Sequence, residues 1–140
     1  MFKYIPSRSP CPIGRASRIL GDRWAILILR EAFVGVDRFE AFLDRLPISR
    51  AALTSRLKML VDAGIVERDP PTGKRAVYRL TAAGEDLFTT ITAMRQWGDR
   101  WLFDEGHNPQ SLPTRFGEDI APVTVTTRTG KAVKAADRLL

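Results

Sequence analysis

The sequence of 140 residues has one cysteine, Cys11, and one histidine, His107. A single thiol closes no intrachain disulfide, and a thiolate metal cage is excluded. No apolar run approaches the ~20 residues of a membrane span, and the opening MFKYIPSRSP lacks the roughly 7–15-residue apolar segment of a secretory signal. Cytoplasmic location is therefore the default, with no membrane partner. Phosphate-cradling glycine motifs are missing too. His107 stands in a loop with no triad signature around it, and the carboxylates are scattered over helix surfaces rather than paired. These absences leave no catalytic constellation, so the expectation is neither an enzyme nor a cofactor-binding protein.

Acidic surplus is also lacking. Lys and Arg number 22 against 16 Asp and Glu, a net charge of +6 with a pI near 10.1. The excess is confined to residues 1–80, with 15 basic and 8 acidic side chains, while residues 81–140 hold 7 and 8. A basic half beside a near-neutral half suits a nucleic-acid surface, although charge alone does not separate DNA from RNA or from an acidic protein. The 44% hydrophobic content permits one real core with an appendage, of a size often helped by dimerisation.

The most informative stretch runs from Ile48 to Leu80. Ser49 is an N-cap residue in type, and Leu53, Leu57 and Leu60 then recur at helical spacing. At about 100° per residue, Arg50, Ala51, Thr54, Ser55 and Lys58 fall within an arc of roughly 140° on another face. Gly64 ends the helix in the manner of a C′ glycine. Two β-prone runs follow, Val66–Asp69 and Ala76–Leu80, separated by PPTGKR. Helix, strand, basic hairpin and strand in this order make a winged helix, whose helix fits a major groove about 12 Å wide. Taken singly, the same features describe any surface helix and any charged hairpin tip.

Upstream, residues 1–11 read as an extended arm broken by Pro6 and Pro10. Pro12 suits the first turn of a helix, and Ile13, Ala16, Ile19 and Leu20 make it amphipathic up to Gly21. Asp22 can cap a second helix from Arg23 to about Val34, apolar on most sides and expected at the centre of the core. After a turn at Gly35–Asp37, Arg38-Phe39 opens a third helix that Pro47 breaks. The sharp joint into Ser49 makes a helix-turn-helix. Residues 12–80 thus form the winged helix-turn-helix, a mainly α domain with a small β-hairpin wing.

Downstream, Thr81 caps one long helix to about Phe103 within residues 81–104. Its stripe of Leu87, Ile91, Met94, Trp97 and Trp101, with Phe88 alongside, must be buried somewhere. The choices are the chain's own first helix or a two-fold partner, and the aromatic load favours the partner. Residues 105–140 form a tail: a loop, a strand at Pro122–Thr127, a turn at Arg128–Lys131, a return at Ala132–Val133 and a short helix or frayed end at Lys134–Leu140.

The blocks CPIGRASRILGDRWAILILREAF (11–33), RFEAFLDRLPISRAALTSRLKMLVDAGIVER (38–68) and YRLTAAGEDL (78–87) resemble the HxlR family of bacterial winged-helix transcription regulators, relatives of the MarR type. The resemblance spans Cys11 to about Trp101. It implies a homodimer on a pseudo-palindromic double-stranded DNA operator, a recognition helix over Ser49–Ala63, a wing over Pro70–Arg75, and dimerisation through the first helix, with Ile13, and the last. Members with longer tails carry cysteine-bearing knuckles. Here Phe116, Thr126 and Thr129 stand where those thiols are expected, which implies that metal binding is lost and a small β element remains. Many members sense electrophiles or oxidants through an N-terminal cysteine, and Cys11 matches that position. It lies at the positive end of a helix near Arg8 and Arg15, which favours thiolate. The alternative is a small hydrophobe at the dimer interface.

On this reading Arg50, Thr54, Ser55 and Lys58 enter the groove, Arg50 being suited to guanine O6 and N7. Ser49 and Thr54 face phosphates, joined by helix N-terminal amides. Lys74 and Arg75 track backbone or minor groove, and Arg38 reaches a flanking phosphate. A small-molecule or electrophile effector is an open partner. The rival function is a winged-helix module for protein–protein contact.

Overall fold

Leu53, Leu57 and Leu60 are almost entirely removed from solvent, and the other elements are arranged around them. The computed structural model describes residues 8–107 and 114–137; residues 1–7 of the expected arm, part of the loop and the last three residues lie outside these. The described chain divides by contact into two compact units, one up to Ile91 and one from Thr92.

In the first unit the first, second and fourth helices each begin where a side chain accepts from a free amide, whereas the third begins at Arg38 without a side-chain cap. Cys11 caps α1 (Pro12–Leu20), its sulfur accepting from the Gly14 amide at 3.4 Å. Asp22 caps α2 (Arg23–Phe33), accepting from the Trp24 amide at 3.0 Å. After α3 (Phe39–Arg45), Ser49 caps α4 (Arg50–Asp62), accepting from the Ala52 amide at 3.1 Å. Gly64, with φ of 72°, makes the left-handed exit that a side chain would strain. It leads into β1 (Val66–Asp69), which pairs antiparallel with β2 (Val77–Leu80) in the register Val66 to Leu80 and Asp69 to Val77.

The core joins Ala25, Ile28 and Leu29 of α2, Phe42 of α3, Leu46 and Ile48 of the joint, the three α4 leucines, and Ile65 and Val66. Each large side chain buried fully there contributes about 1.5–3 kcal/mol. An exposed ion pair contributes about 0–1 kcal/mol, so the leucine side of α4, not its charged side, holds the helix in place.

The expected single helix from Thr81 to Phe103 is corrected: two helices, α5 (Ala82–Asp86) and α6 (Phe88–Trp101), meet at Leu87. The Thr81 hydroxyl donates to the Gly64 carbonyl at 2.6 Å and accepts from the Gly84 amide at 3.2 Å. This draws α5 so close to β1 that a Cβ on Gly84 would lie 2.2 Å from the Ile65 carbonyl oxygen. Leu87 and Ile91 pack on the core of the same chain, and Phe88 meets Phe33 edge-on at 5.3 Å.

The second unit holds the rest of α6 and the tail. The Gln96 side chain donates to the Ala121 carbonyl at 2.9 Å and accepts from the Val123 amide at 2.7 Å, tying the tail to the helix. The expected tail strands reduce to one bridge, Thr126 to Ala132, around a turn at Gly130, and a single 3-10 turn follows at Ala135–Asp137. His107 stacks on Phe103 at 3.7 Å. No helix among the described residues is long and apolar enough to cross a membrane.

One carboxylate sits inside the first unit. Glu31 of α2 is 4% exposed and receives Arg30 at 2.6 Å and Arg45 at the end of α3. Burial pushes its pKa up, but hydrogen bonds from Arg45 and Arg30 outweigh this and hold it below the ordinary 4.5. A depressed carboxylate stabilises the fold above its unfolded pKa and loses that contribution as pH falls through the lower folded value. Glu31→Gln is expected to cost about 1–3 kcal/mol at neutral pH and to flatten the loss of stability below pH 4.5. Urea titrations of both proteins from pH 7 down to about 3 check this; parallel pH profiles would remove Glu31 as the cause.

Candidate nucleic-acid interface

With the leucines turned inward, α4 presents Arg50, Ala51, Thr54, Ser55 and Lys58 to solvent, every one exposed. The face is small and cationic, and its side chains are already engaged within the chain. The Thr54 hydroxyl donates to the Arg50 carbonyl at 2.9 Å, Lys58 pairs with Asp62 one turn on, and Ser49 is spent on the cap. Arg56, on the flank between the two faces, pairs with Asp22, so the residue that caps α2 also fastens α4.

Beside α4 stands the wing. A glycine-containing turn with two prolines suggests a loose loop, but here it is sewn together from inside. Arg68 of β1 sends Nη1 to the Pro70 carbonyl at 2.6 Å, Nη2 to the Gly73 carbonyl and Nε to the Tyr78 hydroxyl at 3.2 Å. Gly73 has φ of 93° and Arg75 has φ of 60°. A left-handed residue other than glycine costs about 1–2 kcal/mol. At Arg75 that cost is offset by a hydrogen bond of 2.7 Å from Arg38 Nη1 to its carbonyl. Arg38 also bridges Val77, and the Asp37 carbonyl accepts from the Tyr78 amide at 2.7 Å, adding a one-residue third strand to the hairpin. Arg38 therefore spends one guanidinium arm on placing the wing. Among the described residues the Lys74 and Arg75 side chains have no ion-pair partner.

The wing and the first turns of α3 and α4 enclose an open cleft lined by Arg38, Phe39, Glu40, Arg50, Arg68, Lys74, Arg75, Ala76 and Tyr78. Five of the nine are cationic, and two helix N-termini add partial positive charge. The chain thus brings Arg38, Arg50, Lys74 and Arg75 to one cleft, with Ser49, Ala51, Thr54, Ser55 and Lys58 on the adjoining helix. Three residues here are not evident from sequence: Arg68, Phe39 and Glu40. Glu40 takes both arms of Arg50, at 2.7 and 3.2 Å, while the Arg50 guanidinium lies 5.4 Å from the centre of the Phe39 ring. Arg50 raises no acceptor elsewhere in sequence spacing that would have revealed this pair, which crosses the joint between helices.

A model of the HxlR-like helix-turn-helix matches residues 19–106. The chain belongs to the HxlR family. Its relatives are DNA-binding transcription regulators, a non-enzymatic class. It is 41% identical to the uncharacterised HTH-type transcriptional regulator Rv3095 of Mycobacterium tuberculosis, over 88% of each chain. The crystal structure of PA1607, a candidate transcription factor, aligns over 95% of both chains with a TM-score of 0.87 and 32% identity. The reduced transcriptional regulator YodB from B. subtilis aligns over 66% of this chain and 95% of its own, with a TM-score of 0.56 and 32% identity.

For an HxlR chain the remaining sequence-derived residues fall as follows. Cys11 is exposed at the start of α1. Ile13, Met94, Trp97 and Trp101 are exposed, the two Trp by 58% and 65%. Leu87 and Ile91, expected on the same stripe, are half-buried against the core. Because Arg68 binds the Pro70 and Gly73 carbonyls of the loop from its own strand, Arg68→Ala should leave the melting temperature nearly unchanged yet loosen the wing. Amide exchange at residues 72–75 is expected to rise by about tenfold or more, equivalent to roughly 1.4 kcal/mol of lost local stability; unchanged protection would show that the turn holds itself.

Proposed function

We propose that this protein is a homodimer that reads a pseudo-palindromic operator in double-stranded DNA, in the cytoplasm, with α4 in the major groove and the wing on the flanking backbone. Residues 12–80 act as the reading head, α6 as the dimerisation helix and 105–140 as a tail of separate role. The observation that carries this reading is the exposed face of Arg50, Ala51, Thr54, Ser55 and Lys58 next to a fastened basic wing. Arg50 has the fork that pairs with guanine O6 and N7; Lys74 and Arg75 supply backbone contacts that any sequence satisfies. An electrophile effector at Cys11 is the finer reading of its control, supported by the thiol's exposure and by a relative, YodB, known in quinone-bound form. The rival, a protein-interaction module, differs in salt response: DNA binding must weaken by about 0.9 log units per log salt for each phosphate neutralised.

Selection of genomic fragments followed by footprinting tests this reading directly. On the selected site, Arg50→Ala is expected to lose about 1–3 kcal/mol of discrimination between operator and scrambled DNA. Lys74→Ala should weaken both DNAs alike and lower the salt slope by about one unit. Equal weakening of both DNAs by Arg50→Ala, together with altered preference in Lys74→Ala, would reverse the two roles.

The dimer rests on Met94, Trp97 and Trp101, with Ile13 of α1 as the second element. Since Trp97 and Trp101 are mostly exposed in the single chain, replacing both with Ala should preserve the fold while removing interface anchors. At about 2 kcal/mol for each position counted over both protomers, dimer dissociation should rise roughly a thousandfold. Sedimentation over a concentration series reads it; a double variant as dimeric as the parent places the interface elsewhere.

A further inference from the structure

Glu40 is the one carboxylate in the basic cleft, and it occupies the side chain on which base reading depends. Its two oxygens accept from Arg50 Nη1 and Nη2 at 2.7 and 3.2 Å, the same two-toothed geometry that arginine uses on guanine or on phosphate. Both side chains are open to solvent, 63% for Arg50 and 66% for Glu40, so an approaching duplex meets the pair directly. Phe39 fixes the flat side of the guanidinium, and Arg38, Lys74 and Arg75 line the same cleft.

We infer that Glu40 is a specificity-determining residue, a competitor that releases Arg50 only to a base pair able to satisfy both partners. This rests on the DNA-reading function proposed above. In water the exposed pair is worth little, because each partner is solvated when they separate. Docking on DNA changes the balance by expelling water and surrounding Glu40 with phosphates. If Arg50 swings to a phosphate, Glu40 is left unpaired in a negative, partly dry interface, which is costly. If Arg50 swings to the O6 and N7 of a guanine, the paired cytosine presents an N4 amino group that a carboxylate accepts. Only the second exchange leaves no stranded charge. Discrimination of this kind comes from penalising the wrong partner as well as rewarding the right one.

The pair also shifts both titrations in the direction that mutual binding requires. Hydrogen bonding to Arg50 lowers the Glu40 carboxyl, and hydrogen bonding to Glu40 raises Arg50. Glu40 is therefore charged whenever the protein meets DNA near neutral pH, and the competition is always present.

Glu40→Gln keeps the shape and removes the charge. On selected genomic fragments and scrambled duplexes of equal length, this variant should bind scrambled DNA about tenfold more tightly and the selected fragment less than about threefold more tightly. Selectivity thus falls by several fold. In an Arg50→Ala background, Glu40→Gln should shift both DNAs by one common factor, since only the bulk charge remains to act. Equal shifts in the Arg50-containing protein would overturn the inference, and so would an undiminished loss of selectivity in the Arg50→Ala background. Loss of operator binding on Glu40→Gln, with an unchanged melting curve, would also overturn it, by showing that Glu40 holds Arg50 in reading position. An unaltered protein that binds no genomic fragment would fail at the function itself, before any variant is compared.

Discussion

The burial of Leu53, Leu57 and Leu60 against Ile28, Leu29 and Phe42 is the constraint on which the rest of the molecule depends. Once three leucines on one side of α4 are committed to the core, the rotation of the helix is settled. The residues roughly opposite, Arg50, Ala51, Thr54, Ser55 and Lys58, have no alternative to solvent. A hydrophobic slip by one position would cost several buried methylenes at about 0.8 kcal/mol each and would turn the cationic face inward, where its charges have no partners. Recognition chemistry is thus set by apolar packing. The polar face contributes little to stability and is correspondingly free to serve another purpose.

Polar interactions act at the next level, on angles and edges rather than on cohesion. Asp22 caps α2 and pairs with Arg56 of α4; Glu31 of α2 joins Arg45 at the end of α3. Each carboxylate fastens one helix to another at a point the leucines do not reach. The wing repeats the pattern with cations. Arg68 satisfies carbonyls that a tight turn leaves without amide partners, and Arg38 holds the carbonyl of left-handed Arg75. Two of the arginines that make the chain look basic are hence structural on at least one arm. The +6 net charge overstates what is free to meet a phosphate; on the wing, Lys74 and Arg75 are the cations without an ion-pair partner among the described residues.

Sequence legibility followed the range of the interactions involved. Helix starts were readable at Asp22, Ser49 and Thr81 because a cap is a contact over two or three residues, and the exit at Gly64 because it needs a left-handed residue. The two faces of α4 were readable from periodicity, and β1 from a β-prone run next to a turn. The break at Leu87 was not, since it arises where Thr81 and Gly84 pull α5 onto Ile65. For the same reason Leu87 and Ile91 look continuous with Met94 and Trp97 in a stripe, although the first two also lie half-buried against the core. Glu31 was hidden because its partners Arg30 and Arg45 lie one and fourteen residues away, outside any helical pairing rule. Glu40 and Arg68 were hidden likewise, behind contacts that form only after the joint and the hairpin close.

That joint connects the core to the reading head. Leu46 and Ile48 are buried on either side of Pro47, and the Ile48 amide donates to the Leu46 carbonyl at 2.8 Å. Apolar burial thereby fixes the angle between α3 and α4, and that angle places Glu40 and Phe39 against Arg50. The first turn of the reading helix is consequently not a bare cation awaiting a ligand. It is a guanidinium already supplied with a carboxylate of matching shape, held there by the same apolar contacts that orient the helix. Any acceptor that takes Arg50 must replace two hydrogen bonds, and the interface must find a donor for the carboxylate left behind. A surface that is basic overall can in this way be demanding locally, because its attraction to phosphate is spread over the wing while its most informative side chain begins occupied.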